Sequence, residues 1–254
     1  MLKINNLHVK LTDDEKEILH GVSLQIHPGE VIILNGKNGS GKSTLVNTIM
    51  GNPNFKITKG NIELVNEAPE EFVQSMIDPD EVKENGNYIE VCNIEPNERS
   101  LLGIYLANQY PMEIPGVSLT HFLRLVYNSR RPKNKQLNIF KFKSLLKEKA
   151  AIIKYPEHLL TRNLNEGFSG GEKKKTEILQ MLVLEPKYVM LDEVDSGLDK
   201  QSVKEVFEGL AAYKMSSPKT AMIIISHYDK VLDYLKPDRI IEMENGNIKL
   251  EVRN

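Results

Sequence analysis

Gly36-Lys37-Asn38-Gly39-Ser40-Gly41-Lys42-Ser43-Thr44 decides what kind of sheet this chain builds. The stretch satisfies the spacing G-x-x-x-x-G-K-[ST] in full. The apolar run Val31-Ile32-Ile33-Leu34 precedes it and a helical pattern starts at Lys42. An unbroken run of that kind suits a strand buried on both faces, as in a parallel sheet. The glycines let consecutive N–H groups turn toward one anion, and the following helix aims its positive end at the same spot. Lys42 adds a compact charge for β- and γ-phosphate oxygens, and Ser43 a hydroxyl suited to Mg2+. The loop predicts ATP, bound with Mg2+.

On the N-terminal side, residues 2–9 and 18–26 alternate apolar and polar side chains, which predicts an antiparallel β layer. His27-Pro28-Gly29-Glu30 then turns the chain into the buried run. On the C-terminal side, the helix from Lys42 stops near Gly51, at Gly-Asn-Pro. Residues 61–65 and 88–91 read as strands. The acidic, weakly patterned stretch 66–87, with Pro69, Pro79 and Gly86, reads as a surface insertion carrying a short helix around 70–76.

Residues 103–107 form another buried strand, and 118–153 turn helical. Phe122, Leu125 and Val126 share one face there, and Phe140, Leu145 and Ala150 a second. The basic break 130–135 between them reads as a solvated loop. Strands return at 188–191 and 221–225, each followed by helix. Residues 239–243 and 248–252 flank Asn245-Gly246 as a hairpin. The alternation predicts one α/β domain over 1–254, with a parallel-sheet core from 1–110 and 167–254 and a helical subdomain inserted at 111–166.

Composition narrows the partners. The formal charge is -2, from 33 basic and 35 acidic side chains, so no global field selects nucleic acid or an anionic membrane. The single cysteine, Cys92, excludes an internal disulfide and reads as a small apolar residue of a reducing compartment. No apolar run approaches membrane-spanning length, and residues 1–4 enter a strand pattern at once, leaving no room for a signal peptide. These features predict a soluble, cytoplasmic protein without direct membrane insertion.

Two further motifs carry chemistry. Tyr188-Val189-Met190-Leu191-Asp192-Glu193 sets two carboxylates at the C-terminal end of a buried strand, where α/β sheets place ligands. Asp192 suits Mg2+ or its water, and Glu193 suits a general base that polarises the attacking water. Alone, such a pair is more often the start of a helix; beside the phosphate loop it reads as the second half of a hydrolytic site. Phe168-Ser169-Gly170-Gly171-Glu172-Lys173-Lys174-Lys175 leads into a helical pattern, so the N–H groups of Ser169, Gly170 and Gly171 form a second anion-seeking helix start. An ordinary loop-to-helix junction has the same composition.

The order phosphate loop, Gln109, Ser169-Gly170-Gly171, Asp192-Glu193, Ser196-Gly197-Leu198-Asp199, His227 resembles the ABC-type ATPases across nearly the whole chain. The resemblance implies a RecA-like core and assigns Gln109 to Mg2+ and to coupling with the helical subdomain. It also implies that Ser169, Gly170, Gly171 and Asp199 act in trans, on ATP held by a second copy in a transient dimer. His227 would then reach the γ-phosphate, although a lone histidine after a strand otherwise reads as structural.

Within that family, Gln109-Tyr110-Pro111-Met112-Glu113-Ile114-Pro115-Gly116-Val117 and Gly167 through Lys175 are similar to the SufC group, the soluble ATPases of SUF iron–sulfur cluster assembly. So are Leu160-Thr161-Arg162, Ile178-Leu179-Gln180-Met181, Asp195 through Asp199, His227-Tyr228 and Leu235-Lys236-Pro237-Asp238. That likeness implies a SufB/SufD-like scaffold partner docked on 110–117 and the helical subdomain. Transporter ATPases usually carry glutamine where Glu172 stands and differ across 110–117, so the energising subunit of a membrane transporter is the alternative.

A binding module with little turnover is disfavoured by the intact Asp192, Glu193 and His227. A nucleic-acid role is disfavoured because there is neither a second phosphate loop nor a basic excess. The chain departs from the group in the length of 66–87 and in lacking a helical tail after the last hairpin. Lys10-Leu11-Thr12 also stands where an adenine-stacking aromatic is expected, leaving Leu11 or Val22 to meet the base.

Overall fold

The alternating N-terminal segments pair as expected. In the computed structural model, which describes residues 1–65, 75, 83–84, 88–226 and 231–253, β1 (Leu2–Leu11) lies antiparallel between β2 (Glu17–Ile26) and β4 (Phe55–Val65). β6 (Tyr88–Glu90) and β5 (Lys83–Glu84) extend this sheet in the order β2-β1-β4-β6-β5. β4 starts at Phe55, earlier than its apolar pattern suggested, because residues 55–57 continue to pair with the end of β1. The rest of the 66–87 stretch, including the short helix expected at 70–76, lies outside the described residues.

The apolar runs build the second sheet from β3 (Val31–Asn35), β7 (Ile104–Ala107), β8 (Tyr188–Asp192), β9 (Ala221–Ile225), β10 (Arg239–Glu244) and β11 (Asn247–Arg253). Its order is β11-β10-β3-β9-β8-β7, parallel throughout except for the β10–β11 hairpin. The helices are α1 (Lys42–Met50), α2 (Pro96–Leu101), α3 (Leu119–Ser129), α4 (Ile139–Ile152), α5 (Gly170–Leu184) and α6 (Lys200–Ser216).

Alternate residues of each central strand serve two cores. Ile33, Ala107, Val189, Leu191, Met222 and Ile224 pack with side chains of α3 to α6. Ile32, Leu34, Leu106, Met190, Ile223 and Ile225 pack with α1 and the antiparallel sheet. Burial on both faces is why these strands read as unbroken apolar runs. No helix among the described residues is long and apolar enough to cross a membrane.

Two expectations in the helical stretch need correction. α3 buries Leu119 and Leu123, and α4 buries Phe142, Leu146 and Ala150, whereas Leu125 is 54% and Phe140 79% exposed. Apolar residues on both helices permitted more than one helical phase, and the phase that meets α5 and the sheet prevails. The basic break is also not a free loop. Arg130 donates to the Ser100 carbonyl oxygen at 2.7 Å and to its hydroxyl, and burial pulls its guanidinium down to about 10. Arg131 lies 3.5 Å from the Tyr127 ring centroid. Only the turn Lys133–Lys135 stands exposed.

The hairpin turn holds both its residues at positive φ, Asn245 at 49° and Gly246 at 74°, as a two-residue turn of this hand requires. Gly246 also bridges elements: its N–H donates to the Ser40 carbonyl and its carbonyl accepts from His20 N–H, each at 3.0 Å. A Cβ there would stand 2.0 Å from the Ile18 carbonyl oxygen. Gly246→Ala is therefore expected to cost about 2–3 kcal/mol, by backbone strain and displacement of β2. Urea unfolding would register it as a lower midpoint with an unchanged slope.

Candidate functional site

Four parallel strands, β3, β9, β8 and β7, bring the predicted residues to one edge of the sheet. The phosphate loop leaves β3, Asp192 ends β8, Glu193 follows it, and Gln109 lies just beyond β7. This is the carboxyl edge at which open α/β sheets bind ligands.

The loop is shaped by positive-φ glycines. Gly36, Gly39 and Gly41 have φ of 138°, 78° and 102°, and a Cβ on Gly36 would meet the Met243 carbonyl oxygen at 2.2 Å. Lys37, Asn38 and Gly39 are exposed, while Ser40 and Gly41 are buried. Lys42 folds back over the loop, its Nζ donating to the carbonyls of Gly36 at 2.7 Å and Lys37 at 3.0 Å. Burial lowers the pKa of that ammonium, against the upward pull of Glu193 and Asp192. Thr44, half-buried on the first turn of α1, accepts through its carbonyl from Thr48 Oγ1. Ser40 Oγ is buried and without a hydrogen-bond partner. An orphaned hydroxyl inside a cradle of N–H groups and a lysine fits a polyphosphate.

Ser43 Oγ donates to Asp192 Oδ1 at 3.1 Å, joining the loop to the end of β8. Asp192 is 3% exposed, and burial raises its carboxyl despite the Ser43 hydroxyl. A hydroxyl, a carboxylate and the nearby Gln109 amide form an oxygen-rich donor set that fits Mg2+. Gln109 Nε2 donates to Glu193 Oε2 at 2.6 Å. Glu193 itself sits at a φ of 50°, with its N–H donating to the Ile225 carbonyl at 2.9 Å. Left-handed backbone in a residue other than glycine turns the carboxylate away from the direction of the strand.

Lys42, Ser43, Asp192, Gln109 and Glu193 thus form one connected cluster. Ser169, Gly170, Gly171 and Asp199 form a different patch, whose hydrogen bonds run elsewhere. Ser169 caps α5: its Oγ accepts from Glu172 N–H, and the Glu172 carboxylate accepts Ser169 N–H at 2.7 Å. Asp199 caps α6 by accepting from the N–H groups of Gln201 and Ser202. The two starts are neighbours, since a Cβ on Gly171 would lie 3.4 Å from Leu198. His227 lies outside the described residues. Of the residues expected to meet a base, Val22 is 2% exposed within the core and Leu11 is 37% exposed, so only Leu11 remains open to one.

Three features of the site escaped sequence reasoning. The spacing S-x-x-E at 169–172 carries the capping-box signal that the structure realises. Lys174 is 6% exposed and donates to the carbonyls of Glu193 and Ser196 and to Ser196 Oγ, so it ties α5 to the segment after β8. Inside a run of three lysines it had no signal of its own. Third, the loop after Gln109 is anchored from behind. Lys173 pairs with Glu113 at 2.7 Å and Asn165 Nδ2 donates to the Met112 carbonyl at 2.7 Å. The side chains of Tyr110 and Met112 nevertheless stand 81% and 79% exposed.

Comparisons with known proteins agree with this fold. The family model described as ABC transporter matches residues 19–196. The probable ATP-dependent transporter SufC of Escherichia coli (strain K12) is 42% identical over 250 residues, covering 98% of this chain and 90% of that protein. The probable ATP-dependent transporter ycf16 of Antithamnion sp. is 43% identical over 250 residues, covering 98% and 89%. Among solved structures, the dimeric bacterial ABC transporter cassette MJ0796 superposes with a TM-score of 0.76 over 100% of this chain and 98% of that one, at 20% identity, a likeness of fold.

Proposed function

The chain belongs to the ABC transporter family and is an ATPase of that type; on that premise we propose that it energises a cytoplasmic iron–sulfur cluster assembly complex. In this reading, ATP-dependent pairing of two ATPase copies works on a SufB/SufD-like scaffold. The observation that supports hydrolysis best is the Gln109–Glu193 pair, set beside the Ser43–Asp192 bond at one edge of the sheet. Lys42, Ser43, Thr44 and the N–H groups of residues 36–41 bind the phosphates. Ser43, Asp192 and Gln109 would hold Mg2+, which when bound neutralises phosphate charge. Glu193 exchanges its contact with Gln109 for the attacking water, and the sequence assigns His227 to the γ-phosphate. Ser169, Gly170, Gly171 and Asp199, turned to neither the loop nor the carboxylates of their own chain, serve the other copy.

The assembly role is supported by similarity to SufC and by the exposed Tyr110 and Met112 on a loop braced against the entry to α5. Both relatives carry the word transporter in their names, and that reading predicts a different partner. Affinity capture from the native cell, with the captured chains identified by mass spectrometry, separates the two. A soluble scaffold supports assembly, and a pair of permease chains overturns it. Tyr110→Ser combined with Met112→Ser is expected to reduce capture about tenfold or more while leaving basal ATP hydrolysis unchanged, since central aromatic and methionine anchors dominate such surfaces.

A further inference from the structure

The segment that leads into α5 also forms the back of the loop after Gln109. Leu164 joins the two: its carbonyl accepts from Ile114 N–H at 3.0 Å, and its N–H donates to the Val117 carbonyl at 2.8 Å. The Arg162 carbonyl continues the pairing by accepting from Leu119 N–H at 3.0 Å. Toward Tyr110 two side chains extend the connection, Asn165 to the Met112 carbonyl and Lys173 to Glu113, each at 2.7 Å. The ion pair stands partly in water and contributes little. Asn165, by contrast, is 2% exposed. It lies outside the motifs read above, and the proposed reaction gives it no part.

We propose that Asn165 is a positioning residue for hydrolysis: by tying residues 110–113 to the approach to α5, it sets the Ser169, Gly170 and Gly171 N–H groups where the ATP of the other copy needs them. Its side chain and its main chain serve different elements. The side chain holds the loop at Met112, while the main-chain carbonyl accepts from Phe168 N–H at 3.2 Å, one residue before Ser169. The backbone of Asn165 is left-handed, with a φ of 60°, a conformation that asparagine tolerates better than most side chains. Its amide oxygen is buried and, among the described residues, has no donor. A buried acceptor left unpaired is a cost, and what the amide brings against it is the Met112 bond. Phe168 is itself buried, with the Arg162 guanidinium 5.3 Å from its ring centroid, so the stretch from Asn165 to Ser169 has little freedom. A displacement of Tyr110 and Met112 is therefore carried to the N–H groups offered to the second copy. The surface given above to the scaffold and the surface given to the other copy form one unit.

This inference rests on the role in trans given above to Ser169, Gly170 and Gly171, and a control tests that role separately. ATP-dependent pairing of the full chain is measured by sedimentation in the Glu193→Gln background, with ATP binding and thermal unfolding alongside. Turnover is measured without that background change. Asn165→Gly keeps the left-handed backbone and removes the amide. Two such contacts are lost per symmetric pair, so the concentration needed for pairing is expected to rise about tenfold. At fixed chain concentration kcat is expected to fall about tenfold, with ATP affinity within about twofold, because residues 36–44 are untouched. Asn165→Asp has the same size and tolerates the same backbone but offers Met112 no donor, and is expected to lose as much. Gly170→Asp is the control: a Cβ there meets nothing within 4 Å in its own chain, and the carboxylate repels a phosphate, so pairing is expected to vanish. If Asn165→Gly does not fold, Asn165→Asp decides. Unchanged pairing in the Asn165 variants while Gly170→Asp fails to pair overturns the positioning role alone, as does recovery in Asn165→Asp or an ATP affinity that falls in step with pairing. Normal pairing in Gly170→Asp overturns the role in trans and the inference with it.

Discussion

Glu193→Gln is expected to bind ATP as tightly as the original chain and to lose at least about a hundredfold in turnover. The amide keeps the size of the carboxylate and a carbonyl oxygen for Gln109 Nε2, so the 2.6 Å contact and the cluster around it persist. What disappears is the negative charge that draws a proton from water as it attacks phosphorus. The lost charge also removes a repulsive neighbour of the incoming phosphates, which favours a long-lived ATP-bound state. Equilibrium binding of ATP and single-turnover hydrolysis, measured on the same preparation, check both halves. Near-normal hydrolysis would remove Glu193 from the role of base. Weak binding would instead show that the carboxylate is part of the loop's scaffold.

Arg99→Met is expected to have the largest effect on stability. Arg99 lies on α2, 3% exposed, and spends its N–H groups on carbonyl oxygens. Nε donates to Ile94 at 2.7 Å, Nη1 to Thr48 at 2.9 Å and Ile49 at 3.0 Å, and Nη2 to Cys92 at 2.9 Å. Thr48 and Ile49 belong to the last turn of α1, where the Thr48 carbonyl otherwise accepts only the Gly51 N–H, at 3.0 Å, and the dipole end is negative. A cation there satisfies both needs. Gly51 makes the room: a Cβ on it would lie 2.8 Å from Arg99 Cζ. Methionine matches the stem but leaves the Ile49, Ile94 and Cys92 carbonyls without their partner, at about 1–3 kcal/mol for each that water cannot reach. A net loss of about 3–5 kcal/mol follows, with a fall in Tm of roughly 10 °C for a domain of this size. Since α1 begins at Lys42, part of that loss should appear as weaker ATP binding. A Tm within about 2 °C of the original would mean that water replaces the guanidinium, against its burial.

The sheet was legible in the sequence because its strands bury both faces and its phosphate loop admits few backbones. Val31-Ile32-Ile33-Leu34 followed by the glycine spacing could hardly be read another way, and Asp192 takes its place from the strand it ends. The helices were less legible where apolar residues outnumber the positions the core needs. Phe140 and Phe142 are two residues apart on α4, and only contact with α5 and the sheet decides which turns inward. Long-range polar contacts left no trace at all. Lys174 on Glu193 and Arg99 on Thr48 join segments separated by 19 and 51 positions, and lysine and arginine on helices look alike whether they point to solvent or to a carbonyl. Glu193 lay between these cases, legible in identity but not in its left-handed backbone.

The hairpin turn has a consequence for synthesis on the ribosome. Residues 36–44 emerge well before the surface that shapes them: Met243 closes on Gly36 and Gly246 holds Ser40. At about 5–20 residues per second, some 200 residues separate the two, so a nascent chain carries its phosphate loop unformed for roughly 10–40 s. The loop's ability to hold a nucleotide in this sense reports that the hairpin has already been made.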